Sequence, residues 1–233
     1  QLLSLGQYTS IVTLNGTRVA AGGIGVTTGN SFAVALAIQA VEQAREKTGR
    51  AAGESTLVVV GAVGNIGRTC AELLAPAYRR TLLVGSDKPG SAQRLAGLAR
   101  QIPLAQIATH LSAVGEGHVV VAALNAVDAP LRSEFLRPGA LVCDLSVPGS
   151  LTPETVRSRP DLLLIQGGLV SLPCGEDLEI VGFPLPRGQT LGAQAGAGHI
   201  HMTAAHQAEH APGGVQPVEQ RSKQRCFHQK TDR

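Results

Sequence analysis

The sequence predicts an α/β fold built on a doubly wound parallel sheet, and three observations lead to this prediction. Short runs of β-branched and aliphatic residues alternate with segments of helical periodicity between residues 54 and 190. Three evenly spaced glycines lie between the first of these runs and the helical segment that follows it. The chain has 233 residues, 43% of them hydrophobic and 16% charged, which supplies enough apolar material for one sizeable core.

The residues ahead of this alternation are expected to belong to a second unit. Residues 1–30 mix short apolar runs at 10–14 and 18–21 with glycines at 16, 22, 23, 25 and 29, a pattern typical of strands and loops, and we interpret them as a remnant of an N-terminal substrate domain. Residues 31–47 have the periodicity of an apolar helix, capped by Asn30 or Ser31 and ended by Gly49. Residues 31–53 are therefore predicted to form a connecting helix and linker.

The predicted nucleotide-binding domain covers residues 54–190. Strands are expected at 56–60, 81–84, 106–109, 118–123, 140–144 and 161–165, and helices at 65–74 and 91–99. Beyond residue 191 no apolar period is sustained, so residues 191–233 are predicted to be a low-order tail.

The three glycines have the spacing of a phosphate-binding turn. Gly61 allows a tight turn after the strand, Gly64 lets the main chain approach a pyrophosphate, and Gly67 lets the next helix pack closely on its strand. The start of that helix presents free amides to the phosphates. This predicts a Rossmann-type domain with the cofactor contacted by Gly61, Ala62, Val63, Gly64, Asn65, Ile66 and Gly67; an ordinary tight turn is the alternative.

The segment after the second strand of this domain is expected to lie beside the adenosine ribose. Ser86 and Lys88 have the chemistry to hold a 2′-phosphate, whereas Asp87 suits the two ribose hydroxyls of NAD. We expect NADPH as the cofactor, with NADH as the alternative.

Further candidates lie where the carboxyl ends of the strands should meet. Ala123 and Asn125 follow the fourth strand and are expected near the nicotinamide ribose. Thr28 and Asn30 precede the long helix, where they serve either as donors to a substrate carbonyl or as simple helix caps. Asp144 is either a site residue on the same edge or a strand-end acid satisfied by loop amides.

Composition excludes several other classes of protein. The net charge of +3 does not indicate a nucleic-acid partner, and no apolar run is long enough to span a bilayer. Four dispersed cysteines favour a reduced cytoplasmic setting over a disulfide framework. The pairs His199/His201 and His206/His210 are attributed to polar low-complexity sequence, so no metal site is predicted.

Five segments, in this order along the chain, resemble one family, the long-chain acyl-[acyl-carrier-protein] reductases that form fatty aldehydes. They are LGQYTSIV at 5–12, TTGNS at 27–31, VVVGAVGNIG at 58–67, VCDLS at 142–146 and QGGLV at 166–170. The resemblance covers about the first 190 residues. It implies NADPH-dependent reduction of an acyl thioester, carried by acyl-carrier protein or coenzyme A, to an aldehyde.

The resemblance also implies a cysteine nucleophile that takes the acyl group before hydride transfer. Its position a few residues after the Gly-Gly pair of the family corresponds to Cys174, with an insertion of one residue. A loop thiol without chemistry is the alternative interpretation. Cys70 and Cys143 are expected to be small buried hydrophobes, and Cys226 belongs to the predicted tail.

The chain also departs from that family at both ends, and other functions stay open. It resembles an N-terminally truncated member with an atypical C-terminal tail, so the cofactor site is expected to be better preserved than the acyl site. The alternatives are a shikimate-type or glutamyl-tRNA reductase-like dehydrogenase and a non-catalytic dinucleotide-binding fragment. The absence of lysine and aspartate from residues 1–30 argues against the shikimate-type proton relay.

Overall fold

The computed structural model describes residues 2–5, 9, 12–14, 16–19, 25–124, 131–146, 149–167, 169–171, 189–191 and 203–204. Its strands are β1 (Leu2–Ser4), β2 (Gly25–Thr27), β3 (Thr56–Val60), β4 (Arg80–Val84), β5 (Ala105–Ala108), β6 (Val119–Ala122), β7 (Leu141–Asp144), β8 (Leu163–Gln166), β9 (Leu169–Ser171), β10 (Gln189–Leu191) and β11 (Thr203–Ala204). Its α-helices are α1 (Asn30–Lys47), α2 (Asn65–Leu74), α3 (Ser91–Ala99) and α4 (Pro153–Ser158).

Six strands form the central sheet in the order β5-β4-β3-β6-β7-β8, and every neighbouring pair is parallel. The chain builds outward from β3 in one direction, returns across the sheet, and builds outward from β6 in the other. This is the doubly wound strand order of the Rossmann fold, and the order reverses between β3 and β6. The predicted fold class is therefore confirmed by the topology.

The sheet is buried on both faces because its strands are apolar at consecutive positions. In β3, Leu57 and Val59 point into one core and Val58 and Val60 into the other, all without solvent exposure. The first core lies under α1, α2 and α3. The second is covered by the 3-10 helix Leu111–Glu116 and by the segment from Leu131 to Leu136.

Three further 3-10 helices are short: Ala52–Glu54 lies between α1 and β3, Ala75–Ala77 directly follows α2, and Ser133–Phe135 lies in the β6–β7 connection. Two small sheets accompany the central one. β1 and β2 pair in parallel, and β9 pairs antiparallel with β10 and with β11. Among the described residues, no helix has the length and apolarity needed to cross a membrane.

Some local details differ from those expected from the sequence. The N-cap of α1 is Gly29, with φ 69° and no side-chain cap bond, so neither Asn30 nor Ser31 caps the helix. The strands of the first 30 residues lie at β1 and β2, because the described parts of the two predicted apolar runs, such as Leu14 and Val19, are exposed turns. The helix α4 was not predicted. β11 lies inside the predicted low-order tail, where its hydrogen bonds go to β9.

Candidate functional site: the carboxyl edge of the sheet

The glycine turn begins at the carboxyl end of β3. Gly61 has φ +76°, a conformation that disfavours any side chain, and its N–H donates to the carbonyl of Val84 on β4 at 2.9 Å. A Cβ atom on Gly61 would lie 2.3 Å from the carbonyl oxygen of Ala123, which follows β6. The turn therefore fills the crevice between β3 and β6 so closely that only glycine fits.

The other two glycines of the triplet have different surroundings. A Cβ atom on Gly67 would lie 2.4 Å from the carbonyl oxygen of Gly61, so glycine here lets α2 pack onto the turn. Gly64 has φ −78° and ψ 159°, and a Cβ atom there would meet only the Gly61 oxygen at 3.3 Å. Packing requires glycine at the first and third positions, whereas a Cβ atom at the second would make one tight contact.

The start of α2 is open to solvent and favourable to anions. Gly64 and Asn65 are exposed, the first turn contains no acidic residue, and no side chain caps it. The first helical bond runs from Arg68 N–H to the Gly64 carbonyl at 2.8 Å. The amides of Asn65, Ile66 and Gly67 have no acceptor among the described residues. They form, with the helix dipole, an anion-binding position that fits the phosphates of a dinucleotide.

The segment after β4 presents three unpaired side chains beside this position. Ser86, Asp87 and Lys88 are exposed, and none makes a side-chain hydrogen bond or ion pair within the described chain. The main chain of this segment is fixed at Ser86, because its N–H donates to the Oγ of Ser91 at 3.2 Å. Ser91 is buried at the predicted start of α3, and its hydrogen bond to the segment after β4 was not predicted from the sequence.

The opposite wall of the crevice is fixed from β6 and β7. The Ala123 N–H donates to the Val60 carbonyl at 3.0 Å, and the Leu124 N–H donates to the Oγ of Ser146 at 3.1 Å. The loop after β7 thus holds the segment after β6 in place. Ser146 is itself buried, and its N–H donates to Oδ1 of Asp144 at 3.0 Å.

Asp144 organises its own loop. Its Oδ2 atom accepts from the N–H groups of Ser150 at 2.6 Å and Leu151 at 3.2 Å, in addition to the Ser146 bond to Oδ1. The side chain is 7% exposed. Of the two interpretations that the sequence left open, the strand-end acid satisfied by loop amides matches this geometry.

Thr28 and Asn30 lie at the start of α1. This helix leads into β3 through a short connection, so it runs antiparallel to the strands. Its 18 residues span roughly 27 Å, against about 17 Å for the five residues of β3, so the helix is long enough for its start to reach the carboxyl edge. The Thr28 Oγ1 atom accepts from the Asn30 N–H at a long 3.4 Å. Both residues are partly buried.

Two predicted site residues, Asn125 and Cys174, lie outside the described part of the chain, as do the four histidines for which no metal site was predicted. Cys70 and Cys143 are fully buried and unpaired. Burial raises the pKa of the Cys70 thiol to about 12 and raises that of Cys143 further. Full burial and a raised pKa disfavour thiolate chemistry at both residues, which agrees with their interpretation as small hydrophobes.

Comparison with known proteins gives likeness at the level of the fold alone. No family model matches the chain, and no curated protein matches it. Solved structures that resemble it include one chain of the dipicolinate synthase from Bacillus halodurans, with 14% identity over 66% of this chain and 54% of that one and a TM-score of 0.47. Glutamyl-tRNA reductase from Methanopyrus kandleri has 20% identity over 63% of this chain and 36% of that one, with a TM-score of 0.43.

A third similar structure is shikimate 5-dehydrogenase from Listeria monocytogenes in complex with shikimate and NAD. Its identity is 14% over 60% of this chain and 53% of that one, and the TM-score is 0.39. The chain spans less than two thirds of each of these three proteins. Its class is therefore defined by its own strand order and glycine turn, which are those of a Rossmann-type α/β domain.

The family expected from the sequence is corrected by these comparisons. The similar structures are a dipicolinate synthase, a glutamyl-tRNA reductase and a shikimate dehydrogenase, not acyl-[acyl-carrier-protein] reductases. The five segments behind that resemblance include the glycine turn, whose geometry is common to many dinucleotide-binding domains. Nothing in the comparisons identifies an acyl-carrier protein or acyl-CoA as a partner.

Proposed function

We propose that the chain binds a nicotinamide dinucleotide across the β3–β6 crevice and serves an oxidoreductase of the dehydrogenase or reductase type. The observation that carries the proposal is the turn from Gly61 to Gly67, because it lies where the strand order reverses. At that point the turn combines an exposed Gly64 with the uncapped start of α2. Open α/β sheets bind their ligands at this switch point.

Different residues of the chain would bind different parts of the cofactor. The main-chain amides of α2 bind the pyrophosphate without a charged side chain, since the helix start supplies the positive potential. Ser86 and Lys88 reach the ribose 2′-phosphate, and Asp87 accepts from the ribose hydroxyls when that phosphate is absent. The bound nicotinamide would supply hydride transfer.

The segment after β6, which forms the opposite wall of the crevice, would then orient the nicotinamide half of the cofactor. Ala123 is fixed against Val60 and Gly61, and Leu124 is fixed by the Ser146 hydroxyl, so this segment is rigid at the main chain. Thr28 and Asn30, at the start of α1, would supply hydroxyl and amide groups to the substrate carbonyl at the same edge. Asn125 would contact the nicotinamide ribose.

The type of enzyme that we propose is the alternative stated from the sequence, a dehydrogenase of the glutamyl-tRNA reductase or shikimate type, although residues 1–30 lack the lysine and aspartate of the shikimate-type proton relay. The presence of NAD in the shikimate dehydrogenase complex, and of NAD+ in that of a similar iminosuccinate reductase from Paracoccus denitrificans, agrees with a nicotinamide cofactor. Acyl-thioester reduction through Cys174 rests on the corrected resemblance alone, and it stays a prediction of the sequence.

Titration with NADPH and with NADH, followed through the fluorescence of the reduced nicotinamide, tests the proposal. We expect saturable binding of both nucleotides, with NADPH bound more tightly. Lys88→Ala should weaken NADPH about tenfold and leave NADH unchanged, because a charge-assisted bond to the 2′-phosphate is lost. Lys47→Ala, an exposed lysine at the far end of α1, is the matched control. Saturable binding of neither nucleotide would overturn the proposal.

A further inference from the structure

A group of basic side chains lies at the amino edge of the sheet, opposite the glycine turn. Arg79, His118 and Arg137 precede β4, β6 and β7, and Arg50 precedes β3, so four neighbouring strands bring them together. The strand register confirms the alignment, since Thr56 at the start of β3 pairs with the first residue of β4. We call these four residues the amino-edge cluster.

His118 is a neutral donor within this cluster. Its main-chain N–H donates to the Thr56 carbonyl at 3.0 Å, and its Nδ1 atom accepts from the Thr56 N–H at 3.1 Å. A ring nitrogen that accepts carries no proton, so the neutral imidazole holds its proton on Nε2. That Nε2–H group has no acceptor within the described part of the chain, and the imidazole is half-buried.

The positive charges of three guanidinium groups act on this imidazole. Burial lowers the pKa of His118, and the charges of Arg137, Arg50 and Arg79 lower it further, with no acidic side chain opposing them. Arg50 is anchored, since its Nη2 atom donates to the Gly139 carbonyl at 2.5 Å. Arg79 and Arg137 are exposed and make no ion pair in the described residues.

None of the acidic side chains described at this edge forms an ion pair with a member of the cluster. Glu116 pairs with Arg80, and Asp161 pairs with Arg159 at 2.8 Å. Glu54 is exposed and makes no ion pair among the residues described. The cluster therefore holds three cations and one N–H donor, and among the described residues none of the three arginines forms an ion pair, although Oδ2 of Asp161 accepts from the N–H of Gly139 nearby.

We propose that the amino-edge cluster binds the phosphate group of a small anion. Planar guanidinium groups match phosphate oxygens, and the three cations exceed the charge of a phosphate dianion. The Nε2–H of His118 supplies a further directed donor. A small anion fits better than a nucleic-acid strand, because the cluster is compact and only 3% of the chain is aromatic. The site is separate from the glycine turn and does not depend on the proposed function.

The test follows the imidazole of His118 by NMR while inorganic phosphate or pyrophosphate is added to the full chain. His118→Gln assigns the signal. We expect a saturable shift and a rise in the pKa of His118, because a bound anion stabilises the imidazolium; binding should therefore tighten as pH falls. A tighter response to pyrophosphate than to phosphate would identify a diphosphate-bearing ligand, and the reverse order a monophosphate.

Charge variants decide between this site and general attraction of anions. Arg79→Gln and Arg137→Gln should each weaken phosphate binding about tenfold. Arg94→Gln, an exposed arginine on α3 near the opposite edge, should change nothing. The proposal is wrong if the His118 signal does not respond to either anion, if Arg94→Gln weakens binding equally, or if only a single-stranded RNA moves the signal.

Discussion

The two edges of the central sheet present positive potential in different ways. At the carboxyl edge it comes from main-chain amides, at the turn from Gly61 to Gly67 and the uncapped start of α2. At the amino edge it comes from the guanidinium groups of the amino-edge cluster. A main-chain site depends on backbone conformation and close packing, so it should be sensitive to a single methyl group. A side-chain site should instead respond to charge and to salt.

The largest effect is expected from Gly61→Ala. The new Cβ atom would lie 2.3 Å from the Ala123 carbonyl oxygen, at a φ of +76° that an L side chain tolerates poorly. We expect the free energy of unfolding to fall by about 4 kcal/mol, from backbone strain and overpacking together. Urea denaturation measures it. Gly53→Ala is the control, because nothing lies within 4 Å of its Cβ position. Equal stability of the two variants would mean that the turn is not close-packed.

A smaller loss of stability is expected from Asp144→Ala. Three main-chain N–H groups, from Ser146, Ser150 and Leu151, would lose their acceptor in a buried loop. This should cost about 3 kcal/mol of unfolding free energy in the same assay. Asp87→Ala removes a carboxylate that is exposed and unpaired among the described residues, and should cost almost nothing. A similar loss in both variants would contradict the assigned role of Asp144.

The sequence predicts the fold well where one local signal decides the structure. The strand Thr56–Val60 and the helices Asn65–Leu74 and Ser91–Ala99 have the predicted bounds, because apolar runs and helical periods are uninterrupted there. The strand at 80–84 begins one residue earlier than predicted, since pairing with β3 extends it to a charged residue that propensity disfavours. The helix α4 was missed although Thr152 caps it and Pro153 follows, a recognisable start signal.

The two sites also differ in how far the sequence alone predicts them. The glycine turn is contiguous in sequence, so its spacing indicates it directly. The amino-edge cluster is assembled from four separate connections, and only the strand register shows that Arg50 and Arg137 approach His118. The bonds that fix Leu124 through Ser146 likewise join residues 22 positions apart, and no local pattern predicts them.

Gly64→Ala tests the central claim, that the carboxyl edge binds a dinucleotide through its main chain. A Cβ atom there meets only the Gly61 oxygen at 3.3 Å, so the unfolding free energy should fall by less than about 1 kcal/mol, close to Gly53→Ala. In the space where the pyrophosphate must approach, the same methyl group should weaken NADPH binding at least about tenfold. Loss of affinity in a stable variant is the predicted result. A stable variant that binds NADPH as tightly as the original chain would contradict the account.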